Sequence, residues 1–389
     1  MAGIADGEIM TKHICLITPG LSSGGAERVL CELANVWARQ PVPPAQQPVK
    51  VSIIPTFKTE IFYEIDENID VVKSNIVYPQ NFIIKAINKI RRLFFVRRTC
   101  RRLRPDVVLS FIEHENIMVL LALLGLPMKK FVSDRNNPHM NIGPVNHWLR
   151  NRLYGKATGI IAQTSTAREV LSKRTGNDNI RVIPNPLRIL RRTDVERKKI
   201  ILNIGRYSDQ KNQSELIDIF RQCRFTDDCA GSTDWQLKII GEGPLRGDLQ
   251  KQIDRLGLGD RVFLLDKTKN IDLHYSEASI FALTSLYEGF PNVLSEAMAH
   301  GLACIAYDCP TGPGEMIEDG INGYLVPLNH REEYVEKLTQ LAAETLRREF
   351  GERAMSASAK YDLQTIANQY LNFILDGGTS PPGPQATSH

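Results

Sequence analysis

Apolar runs bounded by turn residues alternate along this chain with stretches whose apolar positions recur every three or four residues. "HICLITPG" is the first run, "AERVLCELANVWAR" the first helical pattern, and "VKVSIIPTF" a second strand signal. "PDVVLSFI", "KKFVSD" and "GIIAQT" continue the series, with helical stretches such as "ENIMVLLALLG" between them. Strand and helix in alternation predict a parallel sheet covered by helices on both faces. The pattern breaks in the polar, Arg-rich, Pro-punctuated stretch "RVIPNPLRILRRTDVERKK" and then starts afresh. "IILNIGRY", "WQLKIIGEGP", "RVFLLD" and "SIFALTSL" read as strands, and "QSELIDIFRQC" and "LRGDLQKQIDRLG" as helices between them. The expected fold class is therefore α/β, with two doubly wound domains over residues 1–190 and 191–361. In such sheets ligands bind at the carboxyl ends of the strands, so a tandem pair is expected to place them on either side of a cleft. A helix over 362–375, "DLQTIANQYLNFIL", is expected to pack back towards the first domain, and residues 376–389 read as a disordered tail.

Length agrees with two domains, because 389 residues exceed the roughly 250 to 300 that one core accommodates. The formal net charge of +4 is modest, so the distribution of charge carries more information than its total. Seven cysteines without a C-x-x-C pair argue against a disulfide framework and a zinc cluster, and for a reducing compartment. The opening "MAGIADGEIMTKH" lacks a basic segment followed by an apolar core, so it does not read as a secretory signal. No run of about 18 apolar residues suggests a membrane span.

Candidate chemistry sits where strands give way to helices. In "PGLSSGGAER", Gly24 and Gly25 permit positive φ and close backbone approach, and the next helix offers N–H groups to an anion; the same dipeptide also makes a plain tight turn. In "NIGRYSDQKN", Arg206 closes a strand and Lys211 precedes a helix, a spacing suited either to a diphosphate clamp or to two solvated loop charges. "GEGPLRGDL" supplies Gly241 and Gly243, for a ligand or a packing turn. In "EGFPNVLSE", Pro291 suits a first helical turn, which leaves Glu288 in the loop and Glu296 inside the helix. A carboxylate beside a phosphate repels it, so each glutamate is better suited to sugar hydroxyls, while N–H groups near Asn292 and Val293 face the anion.

Taken in order, "GGAER", "GRYSDQKN", "GEGP", the E-x7-E of "EGFPNVLSE" and "TGPGEMIEDGINGYLV" closely resemble the retaining glycosyltransferases of family 4. That resemblance covers residues 12 to 375 and implies the GT-B fold of two facing Rossmann-like domains. It implies that Arg206 and Lys211 hold the diphosphate of a UDP-sugar, that Glu296 binds the ribose and that Glu288 lies beside the transferred sugar. Gly24, Gly25, Gly241, Gly243, Phe290, Pro291, Asn292 and Val293 complete the implied donor set. Such enzymes typically use no metal, in keeping with the lack of a D-x-D at a strand end. Many relatives close the fifth N-terminal strand with a histidine facing the sugar, whereas "FVSDRNNPH" has Arg135 there. Asp134, Arg135 and Asn136 are thus acceptor-side candidates, as is His114, which also reads as an ordinary loop histidine.

Residues 81–105, "NFIIKAINKIRRLFFVRRTCRRLRP", carry nine cations and no acid. On a helix, Ile83, Ile87, Ile90 and Phe94 share one face, opposed by Lys85, Lys89 and Arg92, and beyond Val96 the cations Arg97, Arg98, Arg101 and Arg102 go all round. Part of the apolar face is expected to cover the sheet. The charge suits an anionic membrane surface, and without a recognition motif or interleaved aromatics nucleic acid is not the expected partner. The expectation is an enzyme of the cytoplasm, peripheral on the inner face of the cytoplasmic membrane. It would move a hexose or N-acetylhexosamine, Gal or GalNAc, to a polyprenyl-diphosphate-linked saccharide in O-antigen or polysaccharide assembly. The alternatives are a soluble sugar-to-sugar transferase or epimerase and an idle nucleotide-sugar-binding subunit.

Overall fold

The computed structural model describes residues 11–22, 24–39, 49–78, 81–135, 142–188, 190–191, 193–225 and 234–376. They fall into two units, residues 1–186 with 363–389, and residues 187–362. No helix among the described residues is long and apolar enough to cross a membrane. Asn136 and residues 377–389 lie outside the described residues; of the tail read from the sequence, Asp376 is described and ends the last helix.

The first unit has strands β1 (Lys12–Thr18), β2 (Val49–Pro55), β3 (Asp70–Val71), β4 (Val107–Phe111), β5 (Lys129–Ser133), β6 (Gly159–Ala162) and β7 (Ile180–Val182). Its helices are α1 (Gly25–Arg39), α2 (Phe82–Leu103), α3 (Glu113–Ala122), α4 (Pro144–Tyr154) and α5 (Ser165–Thr175). The strands form one parallel sheet in the order β3-β2-β1-β4-β5-β6-β7, with Ile14 in register with Val51 on one side and Val107 on the other. Helix α2 starts where the Asn81 side chain accepts from the Ile84 N–H, and ends at Arg104, which is left-handed and precedes Pro105.

The second unit has β8 (Ile200–Ile204), β9 (Gln236–Ile240), β10 (Val262–Leu265), β11 (Ile280–Leu283), β12 (Ala303–Asp308) and β13 (Tyr324–Pro327). Its helices are α6 (Gln213–Gln222), α7 (Arg246–Arg255), α8 (Ile271–Glu277), α9 (Asn292–Ala299), α10 (Arg331–Gln340) and α11 (Glu344–Ser358). The sheet order is β10-β9-β8-β11-β12-β13, again all parallel. Both sheets are thus the doubly wound, Rossmann-like kind that the alternating pattern predicts. The last helix, α12 (Leu363–Asp376), belongs to the first unit: Trp37 Nε1 donates to the Ala367 carbonyl at 3.0 Å, and Phe373 meets Phe131 edge to face.

Strand order reverses between β1 and β4 in one sheet and between β8 and β11 in the other. The loops leaving those strands diverge there and open a crevice at the carboxyl ends. "GGAER" and His114 stand at the first such point, and Arg206, Lys211 and Glu288 at the second.

Candidate active site

At the switch point of the second unit, the loop leaving β8 and the loop leaving β11 are bonded to each other. Leu286 N–H donates to the Gln210 carbonyl at 2.8 Å, Gln210 Nε2 to the Tyr287 carbonyl at 2.9 Å, and the Thr284 hydroxyl to the Asn212 carbonyl at 3.0 Å. This clasp holds Lys211, on a single 3₁₀ turn ahead of α6, with its Nζ 2.6 Å from Glu288 Oε1. Glu288 is only 5% exposed, and its carbonyl accepts from the Thr311 hydroxyl. The cation expected on a diphosphate and the carboxylate expected on a sugar therefore begin as a pair. Arg206 lies on the same loop with an exposed side chain.

Gly241 and Gly243 serve the packing of this edge. A Cβ on Gly241 would overlap the Gly205 carbonyl, and one on Gly243 the Tyr207 backbone, so the two loops meet main chain to main chain. Pro291 is the residue before α9 rather than inside its first turn. The Asn292 N–H, expected to face an anion, donates instead to the Phe290 carbonyl at 2.9 Å and closes the loop. Phe290 is buried against Tyr361, so its ring belongs to the core and not to the open edge. Val293 is the second residue of α9.

Glu296, inside α9, is almost buried and accepts at Oε2 from Arg188 Nε and from the Tyr275 hydroxyl, each at 3.2 Å. Arg188 also grips Asp272 with both terminal nitrogens, at 2.9 and 2.7 Å. His300 stacks on Tyr275, faces Asp272 Oδ1 at 3.2 Å and lies 2.8 Å from the Glu296 carbonyl. Burial alone would lower the pKa of Arg188; Asp272 and Glu296 more than offset it and hold the guanidinium above its ordinary range. Arg188, Asp272, Tyr275 and His300 carry no motif in the sequence. The signal available was one arginine in a stretch that reads as an exposed linker.

In the first unit neither Gly24 nor Gly25 has a positive φ, contrary to the turn read from the sequence. Gly24 instead leaves open the space into which the Glu27 carboxylate folds back, and a Cβ there would displace that side chain. The carboxylate, three residues beyond Gly24, lies back over the first turn of α1, where it meets its own backbone N–H. The chain's own carboxylate thus occupies the anion site expected at α1. Burial raises the pKa of Glu27, against its own backbone N–H and Arg135, which lower it.

His114 is exposed in the first turn of α3, whereas Asp134, just past β5, is 4% exposed and its main-chain N–H bonds to Ile161. Arg135 lies over the Phe111 ring at 4.9 Å, donates to Asn185 Oδ1 at 2.6 Å and reaches the Tyr370 hydroxyl at 3.4 Å. The acceptor-side candidates thus gather at the carboxyl ends of β4 and β5, but Asp134 is closed to solvent. Beneath them α3 is locked by a buried ion pair, Arg150 with Glu113.

Helix α2 corrects two expectations. Arg92 does not face out: its side chain is 12% exposed, pairs with buried Glu115, bonds Thr56 and lies 4.1 Å over Phe57. Arg97 is half-buried and donates to the carbonyls of Ala122 and Leu124, capping the end of α3. The buried face is built from Asn88, Val96, Thr99 and Cys100, about half a turn from the one expected, and Val96 and Cys100 pack with Cys15, Ile17, Ile54 and Val108 of the sheet. Ile87, Ile90 and Phe94 are 51, 57 and 69% exposed, and Lys85, Lys89, Arg98, Arg101 and Arg102 are exposed with them; the Ile83 side chain is outside the described residues. Eleven of the fourteen exposed large apolar side chains among the described residues lie in the first unit.

Two family models match this chain, Glycosyltransferase Family 4 over residues 23–189 and Glycosyl transferases group 1 over residues 190–357. The chain is 26% identical to the amylovoran biosynthesis glycosyltransferase AmsD of Erwinia amylovora, over 94% of this chain and 100% of that one. It is 27% identical to the N-acetylgalactosamine-N,N'-diacetylbacillosaminyl-diphospho-undecaprenol 4-alpha-N-acetylgalactosaminyltransferase of Campylobacter jejuni, over 91% of this chain and 97% of that one. Among solved structures, the lipopolysaccharide outer core galactosyltransferase WaaB superposes with a TM-score of 0.71 at 19% identity, covering 94% of this chain and 99% of that one. The HepE protein of Anabaena in complex with UDP superposes with a TM-score of 0.70 at 18% identity, over 94% of this chain and 100% of that one. With one model on each of its two Rossmann-like units, the chain belongs to the family 4 glycosyltransferases and has the GT-B fold.

Proposed function

We propose that this glycosyltransferase moves a hexose or N-acetylhexosamine, Gal or GalNAc, from a UDP-sugar to an undecaprenyl-diphosphate-linked saccharide during polysaccharide or O-antigen assembly, with retention at the anomeric carbon. The observation that carries the acceptor class is the outward face of α2, where Ile87, Ile90 and Phe94 stand exposed beside a row of cations. Exposing those side chains to water is unfavourable by about 1.5 to 3 kcal/mol each relative to full burial, so the face suits a partner that covers it. An anionic bilayer does so and attracts each nearby cation by about 1 kcal/mol. The Campylobacter relative, named for a diphospho-undecaprenol acceptor, supports the same reading. The protein would then work on the cytoplasmic face of the membrane, and the surplus cations of α2 would meet the pyrophosphate of the acceptor.

In this reading Lys211, while still paired with Glu288, also holds the donor diphosphate, joined by Arg206, and the two cations offset the charge of the departing UDP without a divalent metal. The bond from the anomeric carbon to the phosphate oxygen breaks, the acceptor oxygen bonds to that carbon, and its proton passes to the departing phosphate oxygen. Glu288 lies beside the sugar and Glu296 takes the ribose hydroxyls. The test is purified protein with a panel of UDP-sugars and an undecaprenyl-diphosphate-linked saccharide in anionic vesicles, read as UDP release and glycan lengthening. Turnover on soluble sugars together with no vesicle binding would replace this reading by the sugar-to-sugar one. No UDP release with any donor would leave the idle nucleotide-sugar-binding subunit.

A further inference from the structure

We infer that Arg188 is a positioning residue for nucleotide selection: it sets Glu296 so that one carboxylate oxygen is reserved for the ribose diol. The inference rests on the reading of Glu296 as the ribose ligand and adds the device that would make that ligand selective.

The geometry divides the two oxygens of Glu296 unequally. Arg188 Nε and the Tyr275 hydroxyl both use Oε2, and among the described residues Oε1 carries no partner. A carboxylate on a flexible stem loses rotamer entropy when a ligand fixes it; two donors on one oxygen remove that freedom beforehand. Arg188 is itself fixed, because its two terminal nitrogens make a fork on Asp272, on the neighbouring helix α8. His300 completes the frame by facing Asp272 from the end of α9, while its ring stacks on Tyr275 at 4.8 Å. Every member of the frame lies in the second unit. One cation thus ties two carboxylates, and neither the fork nor the Nε contact has an equivalent with lysine.

The pair also sets the charge. Glu296 without Arg188 would be a nearly buried carboxylate beside Asp272, and two such groups repel each other and any nearby phosphate. With Arg188 between them the two carboxylates share one cation and Glu296 is held in one orientation, which suits an acceptor for two hydroxyl donors.

The experiment compares UDP with 2′,3′-dideoxy-UDP by calorimetry on the full-length protein and on Arg188→Gln, Arg188→Lys and Tyr275→Phe, with thermal unfolding as the control for folding. A hydrogen bond to a charged group favours UDP in the parent protein by about tenfold or more. Arg188→Gln is expected to bring the two affinities within about threefold of each other, chiefly by weakening UDP, with dideoxy-UDP changed little. Arg188→Lys, which keeps the charge without the fork, is expected to recover only part of the ratio. Tyr275→Phe removes one donor from Oε2 without altering charge, and carries the test should Arg188→Gln not fold; it is expected to reduce the ratio several-fold. Undiminished discrimination in the folded variants would overturn the inference and leave the ribose reading standing. Equal binding of the two nucleotides by the parent protein would remove the ribose reading and the inference together.

Discussion

Glu288→Gln should bind UDP more tightly than the parent protein while losing sugar transfer. Lys211 Nζ stands 2.6 Å from Glu288 Oε1. A phosphate oxygen held by the same ammonium at a normal hydrogen-bond length is therefore no more than about 5.4 Å from the carboxylate oxygen. At an effective dielectric near 20, two unit negative charges at that separation repel by about 3 kcal/mol. Solvent entering with the nucleotide screens part of this, and halving it leaves about 1.5 kcal/mol, roughly tenfold in Kd. The substitution also frees Lys211 from a partner it must otherwise share. Calorimetry with UDP measures the first effect, and UDP release from the sugar donor with acceptor present measures the second, expected to fall by about a hundredfold or more. A variant that binds UDP no better than the parent would refute the reasoning, because the Lys211–Glu288 pair would then be a structural tie away from the diphosphate.

Lys211→Ala should weaken UDP binding by about tenfold to a hundredfold, and Arg206→Ala by a comparable amount at low salt, both measured by calorimetry at two ionic strengths. Arg98, Arg101 and Arg102 changed together to Ala should reduce flotation with anionic vesicles by about a hundredfold, at about 1 kcal/mol per cation, while moving the unfolding midpoint little. Arg92→Ala should do the reverse: it strands the buried Glu115 and costs about 3 to 5 kcal/mol of stability without changing vesicle binding. Asp272→Asn tests linkage. Burial would raise the Asp272 pKa, but Arg188 and His300 hold it below its ordinary 3.8. The ionised form therefore adds stability above pH 3.8, lost as pH falls through the lower folded-state value. The variant should be less stable by about 1 to 3 kcal/mol at pH 7, the gap closing in acid, and a pH-independent gap would contradict the assignment.

The doubly wound pattern was legible because buried parallel strands are written as continuous apolar runs, and the runs read from the sequence fall on β1, β2, β4, β5, β6, β8, β9, β10 and β11. Strands β3 and β7 have two and three residues, too few to show a period, and β7 runs into the start of the stretch where the pattern breaks. The site was legible where chemistry is local, as in Lys211 and Glu288, but their mutual pairing joins residues 77 apart and no spacing announces it. Arg188 and Asp272 are 84 apart, and Arg188 looks like its solvated neighbours until the fold supplies a partner. On α2 the sequence offers two stripes, one Ile-rich and one with Val96 and Cys100, and periodicity alone does not say which packs. Gly24 misled for a comparable reason: a glycine is enriched both where φ is positive and where a neighbouring side chain needs the space of a Cβ.

Helix α12 has a consequence for how the protein is made. Its residues Ile366, Ala367, Tyr370, Leu371, Phe373 and Ile374 are buried in the first unit, and the Trp37 to Ala367 bond spans 330 residues. During synthesis the first half leaves the ribosome with α1 uncovered, and the second unit, whose strands are contiguous in sequence, is made whole before that gap is filled. The N-terminal unit therefore finishes folding last. A nascent chain stalled before residue 363 would expose the α1 face to chaperones, and a C-terminal truncation would be felt first at the opposite end of the sequence.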